Sequence, residues 1–376
     1  MDELKPYTPP KQEISRQVQP TIDLGSLTQE EILSPTYYGK LLETIPKVSG
    51  KDAVEDRGKL NFRRNDVMLT IDKMINNIPV IWGINVDKLL CVSMGAFIMA
   101  NPGLTLENHK KIRINYEVKI PFKSFCMDMG YDVIPHDGSP AEKRRANATL
   151  RKAKQRILSY LECLREVKAT WIEALKKGGK SIAKEAEAGA IDRNFINYSI
   201  IGSRGIVDGF IDVTFDPKFV NDYLILLPQN KYHKALLKVK KETAYKMGRF
   251  LINYYMKPSN KKKVINNHIR NKKLLAHTDL PTIEEIEGAI DPDTGRRKGG
   301  KRPGHWRERI KEPYEEALDE LYSVGFLTFW GYYGKNKRKL SDKEATEGGA
   351  EMWGERYLDF EIRIPVDNEG RLTTTK

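Results

Sequence analysis

The stretch SPAEKRRANATLRKAKQRILSYLECLREVKATW, residues 139–171, organises the sequence around one long helix. Its first four residues form a capping box with proline at the first helical position, so the helix should begin at Ser139. Apolar residues then recur every three or four positions, which is the spacing of one buried helix face. They are Leu150, Ala153, Ile157, Leu161, Leu164, Val167 and Trp171. The pattern predicts a single amphipathic helix from residue 139 to about 176.

The outward face of this helix is predicted to be strongly basic. Seven Lys or Arg residues lie in its first turns, and they cannot all share the buried stripe, so most should face solvent. Exposed cations of this kind neutralise nucleic-acid phosphates. The candidate DNA-binding residues here are Lys143, Arg144, Arg145, Asn147, Arg151, Lys152 and Lys154. Asn147 and Arg151 suit base reading and solvated positions equally well.

Elements on both sides of this helix complete a characteristic order. The predicted elements are a helix at 84–100, a strand within 111–122, a short helix at 122–129, and a hairpin whose arms 195–201 and 206–215 flank the turn Gly202-Ser203-Arg204-Gly205. Alternating apolar residues indicate the strands, and glycines permit the positive φ of a tight turn. Helix, helix, long helix and hairpin is the order of a winged helix-turn-helix domain.

The second half of the chain repeats this order without repeating its sequence. The predicted elements are a helix at 239–256, a short helix around Leu274-Leu275, a capping box at Thr282-Ile283-Glu284-Glu285, a helix at 313–324, strands at 326–332 and 357–364, and a wing tip at 333–356. We therefore predict an α+β protein with two tandem winged helix-turn-helix domains. They span 62–228 and 229–366, after an irregular, partly disordered extension at 1–61 and before a tail at 367–376. A short helix in the extension should end before Pro35.

The second predicted domain carries two basic segments of its own. The Gly-rich stretch GRRKGGKRPG at 295–304 is predicted to be a flexible arm that neutralises phosphates or enters the minor groove, and the arginines after it can reach guanine edges. The wing adds phosphate contacts. Trp306 fits a core anchor equally well, and Pro313 either begins the regular helix or kinks it. The candidates are Arg296, Arg297, Lys298, Lys301, Arg302, His305, Trp306, Arg307, Arg309, Lys311, Lys335, Lys337, Arg338 and Lys339.

The positive charge of the chain is concentrated in a few segments. The 376 residues include 64 Lys or Arg and 51 Asp or Glu, a net charge of +13. Windows 139–157, 259–273, 295–311 and 335–343 together carry +23, so the remainder is about −10. A basic protein with focused charge is typical of a polyanion partner, here double-stranded DNA.

Motifs for catalysis are weak in this sequence. Gly179-Lys180-Ser181 ends like a phosphate-binding loop, but position 174 is Ala where the loop requires Gly. No two of the six histidines are two or four residues apart, and the three cysteines form no Cys-x-x-Cys motif. We expect no enzymatic activity, no metal and no cofactor. An enzyme built from dispersed residues is the remaining catalytic alternative. No signal peptide or apolar span is present, so we expect a cytoplasmic protein without a membrane partner.

The junction between the two predicted domains resembles a known family. FIDVTFDPKFVNDYLILL at 210–227 and YHKALLKVKKETAYKMGRFLINYYM at 232–256 resemble the domain junction of theta-type plasmid replication initiator (Rep) proteins, and the resemblance covers roughly 80–366. It implies two winged-helix domains on directly repeated or inverted origin sequences, with a homodimer and host replication proteins as further partners. It also implies that 296–311 reads the major groove and that 143–156 contacts the backbone. The extension and the long connection at 333–356 depart from the family pattern.

These observations favour one function and leave others to be tested. The leading hypothesis is sequence-specific binding of double-stranded DNA at the replication origin of a bacterial plasmid or mobile element, to initiate replication. A winged-helix transcriptional regulator or autorepressor would use the same surface. A metal-dependent DNA-nicking enzyme and an RNA-binding protein are the alternatives from other classes, and no aromatic RNA-binding stretch supports the second.

Overall fold

The structure, a computed structural model, confirms the α+β class. It combines helices with small antiparallel sheets. Among the described residues, no helix combines the length and the apolar character that a membrane span requires. The described residues are 31–35, 54–56, 59–64, 67–72, 74–75, 78–79, 84–102, 104, 111–131, 138–166, 168–171, 196–199, 201–217, 220, 229–255, 267–290, 297–334 and 338–363.

Short strands occupy the described parts of the first 80 residues. They are β1 (Glu31–Pro35), β2 (Val54–Asp56), β3 (Lys59–Arg64), β4 (Val67–Asp72), β5 (Met74–Ile75) and β6 (Ile78–Pro79). The predicted helix before Pro35 is wrong, because those residues pair antiparallel with 229–233, nearly 200 positions later. Strand β3 also crosses residues 61 and 62, where the sequence predicted a domain border.

The first unit follows the predicted order of elements. It comprises α1 (Ile84–Ala100), β7 (Glu117–Pro121), α2 (Phe122–Asp128), α3 (Pro140–Glu166), β8 (Lys168–Trp171), β9 (Ile196–Ser199), β10 (Ile201–Val207) and β11 (Phe210–Phe215). Strands β10, β11 and β7 form an antiparallel sheet in that order, and β8 and β9 join β2, β3 and β4 in a five-stranded sheet. Helix α3 packs against α1, α2 and β10.

Two predicted boundaries in this unit are wrong. Helix α3 ends at Glu166 rather than near 176, and Trp171 lies in a strand that pairs with β4. The hairpin turns at Asp208-Gly209, where both residues have positive φ, at 50° and 81°. Asp-Gly is the favoured pair for a two-residue turn of this kind, so the glycines at 202 and 205 lie within strand β10 instead.

The second unit begins like the first, with a helix, a short strand and a short helix, and then adds elements of its own. After β12 (Gln229–His233) and a 3-10 turn (Lys234–Lys238) it comprises α4 (Glu242–Tyr255), β13 (His268–Arg270), α5 (Asn271–Leu275), α6 (Ile283–Glu287), β14 (Ala289–Ile290), β15 (Arg297–Lys298), a π turn (Arg307–Lys311), α7 (Glu312–Ser323), β16 (Leu327–Tyr333), α8 (Asp342–Thr346), α9 (Gly349–Glu355) and β17 (Tyr357–Ile362). Its sheet has the order β13, β17, β16. In the three-stranded sheet of each unit, the strand that comes last in the sequence lies between the other two.

Within the connection at 333–356, the described residues from 338 onward include two helices that pack on the core, which corrects the predicted wing tip over those residues. These helices are α8 and α9, and Trp353 on α9 is fully buried. The Trp353 ring packs 5.7 Å from that of Trp306 and 5.2 Å edge-on from that of Tyr314. Burial of large aromatic rings dominates the energetics of such a core, so this segment holds the second unit together.

The first helices of the two units are joined by buried polar contacts. Asp87 on α1 accepts a 2.5 Å hydrogen bond from the Tyr245 hydroxyl on α4, and Arg249 Nε lies 3.5 Å from its carboxylate. Lys88 donates a 2.6 Å hydrogen bond to the carbonyl of Val239. Burial raises the pKa of Asp87 and lowers the pKa of Lys88 to about 8. Each charged group therefore depends on a partner in the other unit.

Candidate nucleic-acid interface

The capping box at the start of α3 is confirmed. The backbone N–H of Ser139 donates to Glu142 Oε2 at 2.8 Å, and the backbone N–H of Glu142 donates to the Ser139 hydroxyl at 3.4 Å. Hydrogen bonds from Ser139 lower the pKa of Glu142. The Glu142 carboxylate thus caps the start of the helix, and the cations that follow it dominate the charge of the first turns.

Helix α3 presents its cations to solvent, as its period predicts. The buried face consists of Ala146, Ala153, Ile157, Leu161 and Leu164. The candidates on the opposite face are all exposed, and within the described residues none has a carboxylate at ion-pair distance: Lys143, Arg144, Arg145, Asn147, Arg151, Lys152 and Lys154. Arg156 is exposed as well. Free guanidinium and ammonium groups along one helix face are available to phosphates.

The basic segment that precedes the second long helix is held in place over 297–304, which corrects the predicted flexible arm. Strands β14 and β15 pair, and the N–H groups of Lys301 and Arg302 donate to carbonyls of helix α6 at 3.0 and 3.1 Å. Gly300 passes so close to Gly288 that a Cβ would lie 2.5 Å from its backbone nitrogen. Glycines permit this close approach, so here they serve packing rather than flexibility. Arg296 lies outside the described residues.

The cations of this held segment divide into two groups. Arg297 is half-buried and donates to the Gly288 carbonyl at 2.7 Å and to Glu351 at 2.6 Å, so it joins β15 to α9. Lys298, Lys301 and Arg302 are exposed. A rigid turn therefore displays three cations just before the helix.

A π turn separates this segment from helix α7. The Glu312 N–H donates to the Arg307 carbonyl five residues back, directly before Pro313, whose ring would clash with the carbonyl four residues earlier in a regular helix. The helical turns are continuous from Trp306 to Ser323, and the regular α-helix begins at Glu312 with Pro313 in its first turn, as the sequence predicted. Arg307, Glu308 and Arg309 are all exposed at this turn. Turns of this type are frequent at functional sites.

Two predicted DNA contacts belong to the interior. Trp306 is buried against Trp353, which makes it the core anchor. The side chain of Lys311 is 8% exposed, and its ammonium lies 2.8 Å from Glu315 and 2.7 Å from Asp342. Burial alone would lower the pKa of Lys311, but hydrogen bonds to these two carboxylates outweigh it and raise the pKa. The ammonium joins α7 to α8 and is not presented to a phosphate.

The remaining predicted residues lie around the helix start and the connection after β16. His305 is exposed, and its Nδ1 lies 3.3 Å from Glu308. Arg338 forms an ion pair with Glu344, and the ammonium of Lys339 lies 5.8 Å from the ring centre of Phe329. Both side chains are exposed. Lys335 and Lys337 lie outside the described residues.

After the π turn the helix is acidic, from the first turn of α7 onward. Glu315 accepts the Tyr332 hydroxyl at 2.9 Å, and Glu316 pairs with Lys241 at 2.6 Å. Asp319 accepts the Trp330 indole N–H at 3.1 Å, and Glu320 accepts the backbone N–H of Lys240 at 2.6 Å. These acids hold the helix against β16 and the start of α4. Only the beginning of this helix can approach a polyanion.

The described residues show little that would hold a metal or a cofactor. No group of three or more His, Cys, Asp or Glu side chains is placed to bind a metal ion within them. A cavity of about 520 Å³ lies beside α8 and α9, between Arg338, Arg356, Glu344 and Glu355. Its charges are mixed, and Glu355 is paired with Arg270 and Lys272.

Comparison with known proteins is limited to structure. No family model and no curated protein matches the chain. Among solved structures, the crystal structure of Pi initiator protein in complex with iteron DNA matches with a TM-score of 0.37 and 13% sequence identity. The match covers 80% of this chain and 99% of that chain.

Proposed function

We propose that this chain binds double-stranded DNA in a sequence-specific manner at the replication origin of a bacterial plasmid or related mobile element, and thereby initiates replication. The observation that carries the proposal is the exposed face of α3, where six predicted DNA-binding cations have no carboxylate partner among the described residues. Its action is binding and distortion of DNA, without covalent chemistry, metal or cofactor. A homodimer and host replication proteins complete the proposed assembly.

The two units are proposed to be tandem winged helices with different tasks. Helix α3 supplies phosphate contacts, because its cations are spread along several turns rather than gathered at one end. The start of the second long helix supplies base contacts, because Arg307 and Arg309 lie in its first turns and residues there reach base edges in helix-turn-helix proteins. Arginine is the commonest reader of guanine. The first surface thus contributes affinity for DNA of any sequence, and the second contributes sequence preference.

A random-library selection with the purified chain at moderate salt tests this proposal. We expect recovery of a repeat or palindrome of about one to two helical turns. Arg307→Ala or Arg309→Ala should cost ~1–3 kcal/mol of binding free energy and relax preference at one position. Recovery of no motif would refute sequence-specific binding.

A recovered site also separates the proposed role from its alternatives. Loss of plasmid maintenance when the site is deleted supports an initiator, whereas retention of the plasmid with altered transcription supports a regulator. Incubation of supercoiled DNA with the purified chain and any of several divalent ions should leave the DNA intact. Metal-dependent nicking that tracks with the purified chain would contradict the non-enzymatic proposal.

A further inference from the structure

Glu308 is the single acid among eight basic residues in the window 295–311, and it lies at the centre of the proposed reading surface. Arg307 and Arg309 flank it, and all three are exposed at the π turn. The Glu308 side chain is 67% exposed. A carboxylate at this position repels phosphates, so it lowers the affinity for DNA of any sequence.

Four acids further along this helix are explained by contacts inside the protein, and Glu308 is not. Glu315, Glu316, Asp319 and Glu320 each contact a side chain or backbone group of a neighbouring element. The partner that the structure gives Glu308 is His305, three residues earlier, whose own side chain is 56% exposed. This contact fastens Glu308 to no other element.

A carboxylate beside arginines has a specific use in the major groove. Carboxylates accept a hydrogen bond from the N4 amino group of cytosine, while arginine donates to O6 and N7 of guanine. We propose that Glu308 is a specificity-determining residue that accepts from a cytosine N4 amino group, next to a guanine contacted by Arg307 or Arg309. This inference rests on the proposed function. Glu308 would reduce binding to sequences that lack cytosine at this position and would thereby increase the sequence specificity of the chain.

An acid at the start of a helix also has a purely structural explanation. The Arg309 N–H donates to the His305 carbonyl at 3.1 Å, so the helix begins at His305 and Glu308 lies in its first turn. Negative charge there interacts favourably with the helix dipole. This explanation predicts an effect on stability and none on base preference, so the two accounts give different results.

The test compares the full chain with Glu308→Gln and Glu308→Ala in the same library selection. Both variants should bind random DNA more tightly than the parent chain. The preference for cytosine at one position should fall by about 5- to 150-fold. In Glu308→Gln the preferred base at that position should shift toward adenine, because Gln pairs with adenine N6 and N7.

Glu312→Gln is the matched control, since Glu312 is an exposed acid one turn further along the helix. It should raise binding to random DNA and leave every base preference unchanged. A motif that is identical for the parent chain and both Glu308 variants would overturn the inference, and a lowered midpoint of thermal unfolding would then assign Glu308 to the helix dipole. If the parent chain itself selects no motif, the proposed function fails instead.

Discussion

The two long helices occupy the same place in the order of elements, yet they present charge in opposite ways. Helix α3, at Pro140–Glu166, exposes cations over its first five turns, and the structure gives the predicted ones no carboxylate partner within its described residues. The helix that ends as α7 exposes cations only at its start and acids beyond it. The two long helices thus offer different surfaces to a polyanion.

The difference has a structural cause in the neighbours of each helix. Four acids of α7 contact β16 or the residues just before α4, and the connection after β16 supplies carboxylates that bind Lys311 and Arg338. The cations of α3 are not used to pack the helix, because α3 packs through an apolar stripe. A surface charge is available for binding only when the fold does not already use it.

The largest expected effect tests whether the connection at 333–356 is core. Trp353→Ala should cost ~3–5 kcal/mol of unfolding free energy, because it removes a fully buried aromatic ring from between two others. Chemical denaturation followed by circular dichroism measures this. Met352→Ala, at a neighbouring side chain that is 44% exposed, should change the free energy by less than ~0.5 kcal/mol. Equal, small losses in both variants would restore the wing tip that the sequence predicted.

The next effect compares the two charged surfaces directly. Combined substitution of Arg144, Arg151, Lys152 and Lys154 by Ala should flatten the slope of log Kobs against log salt by about 3–4, and weaken binding roughly 10²–10³-fold at physiological salt. The loss should be uniform across DNA sequences. Fluorescence anisotropy over a salt series measures both quantities.

Arg297 and Arg338 give the matched control for that series, because both are paired with carboxylates inside the second unit. Their combined substitution by Ala should lower stability and leave the salt slope unchanged. If the two variants flatten the slope equally for each cation removed, pairing with a carboxylate does not remove a cation from the DNA surface, and the proposed difference between the two units is wrong.

A smaller effect concerns the junction of the two units and depends on pH. Lys88 is 2% exposed, and burial lowers its pKa from the ordinary 10.5 of a lysine to about 8 in the folded chain. Between these two values the unfolded chain binds more protons, so folding stability should rise with pH by roughly 3 kcal/mol from this residue. Denaturation at pH 7.5 and pH 10 measures the rise. Lys88→Met should remove it, and an unchanged rise in that variant would assign it to other groups.

Local features of the fold could be predicted from the sequence because their causes lie within a few residues. The capping boxes at Ser139 and Thr282 form as expected, and α1 has the predicted bounds at 84–100. Strand β17 lies within the predicted strand at 357–364, and its apolar residues Leu358, Phe360 and Ile362 are buried. The exposure of the α3 cations followed from the helical period alone. Each of these depends on hydrogen bonds or spacings over about four residues.

Other features were decided only by tertiary structure. Trp171 fits the apolar spacing of α3, but its backbone pairs with a strand about 100 residues earlier. Lys311 and Arg297 lie in basic segments and were predicted to contact DNA. In the structure they pair with Asp342 and Glu351, which lie 31 and 54 positions further along the chain. A cation can bind a phosphate only if no carboxylate is packed beside it, and that packing is set by the whole core. The sequence alone therefore determined where positive charge is concentrated, and the tertiary structure decided which of those charges face the solvent.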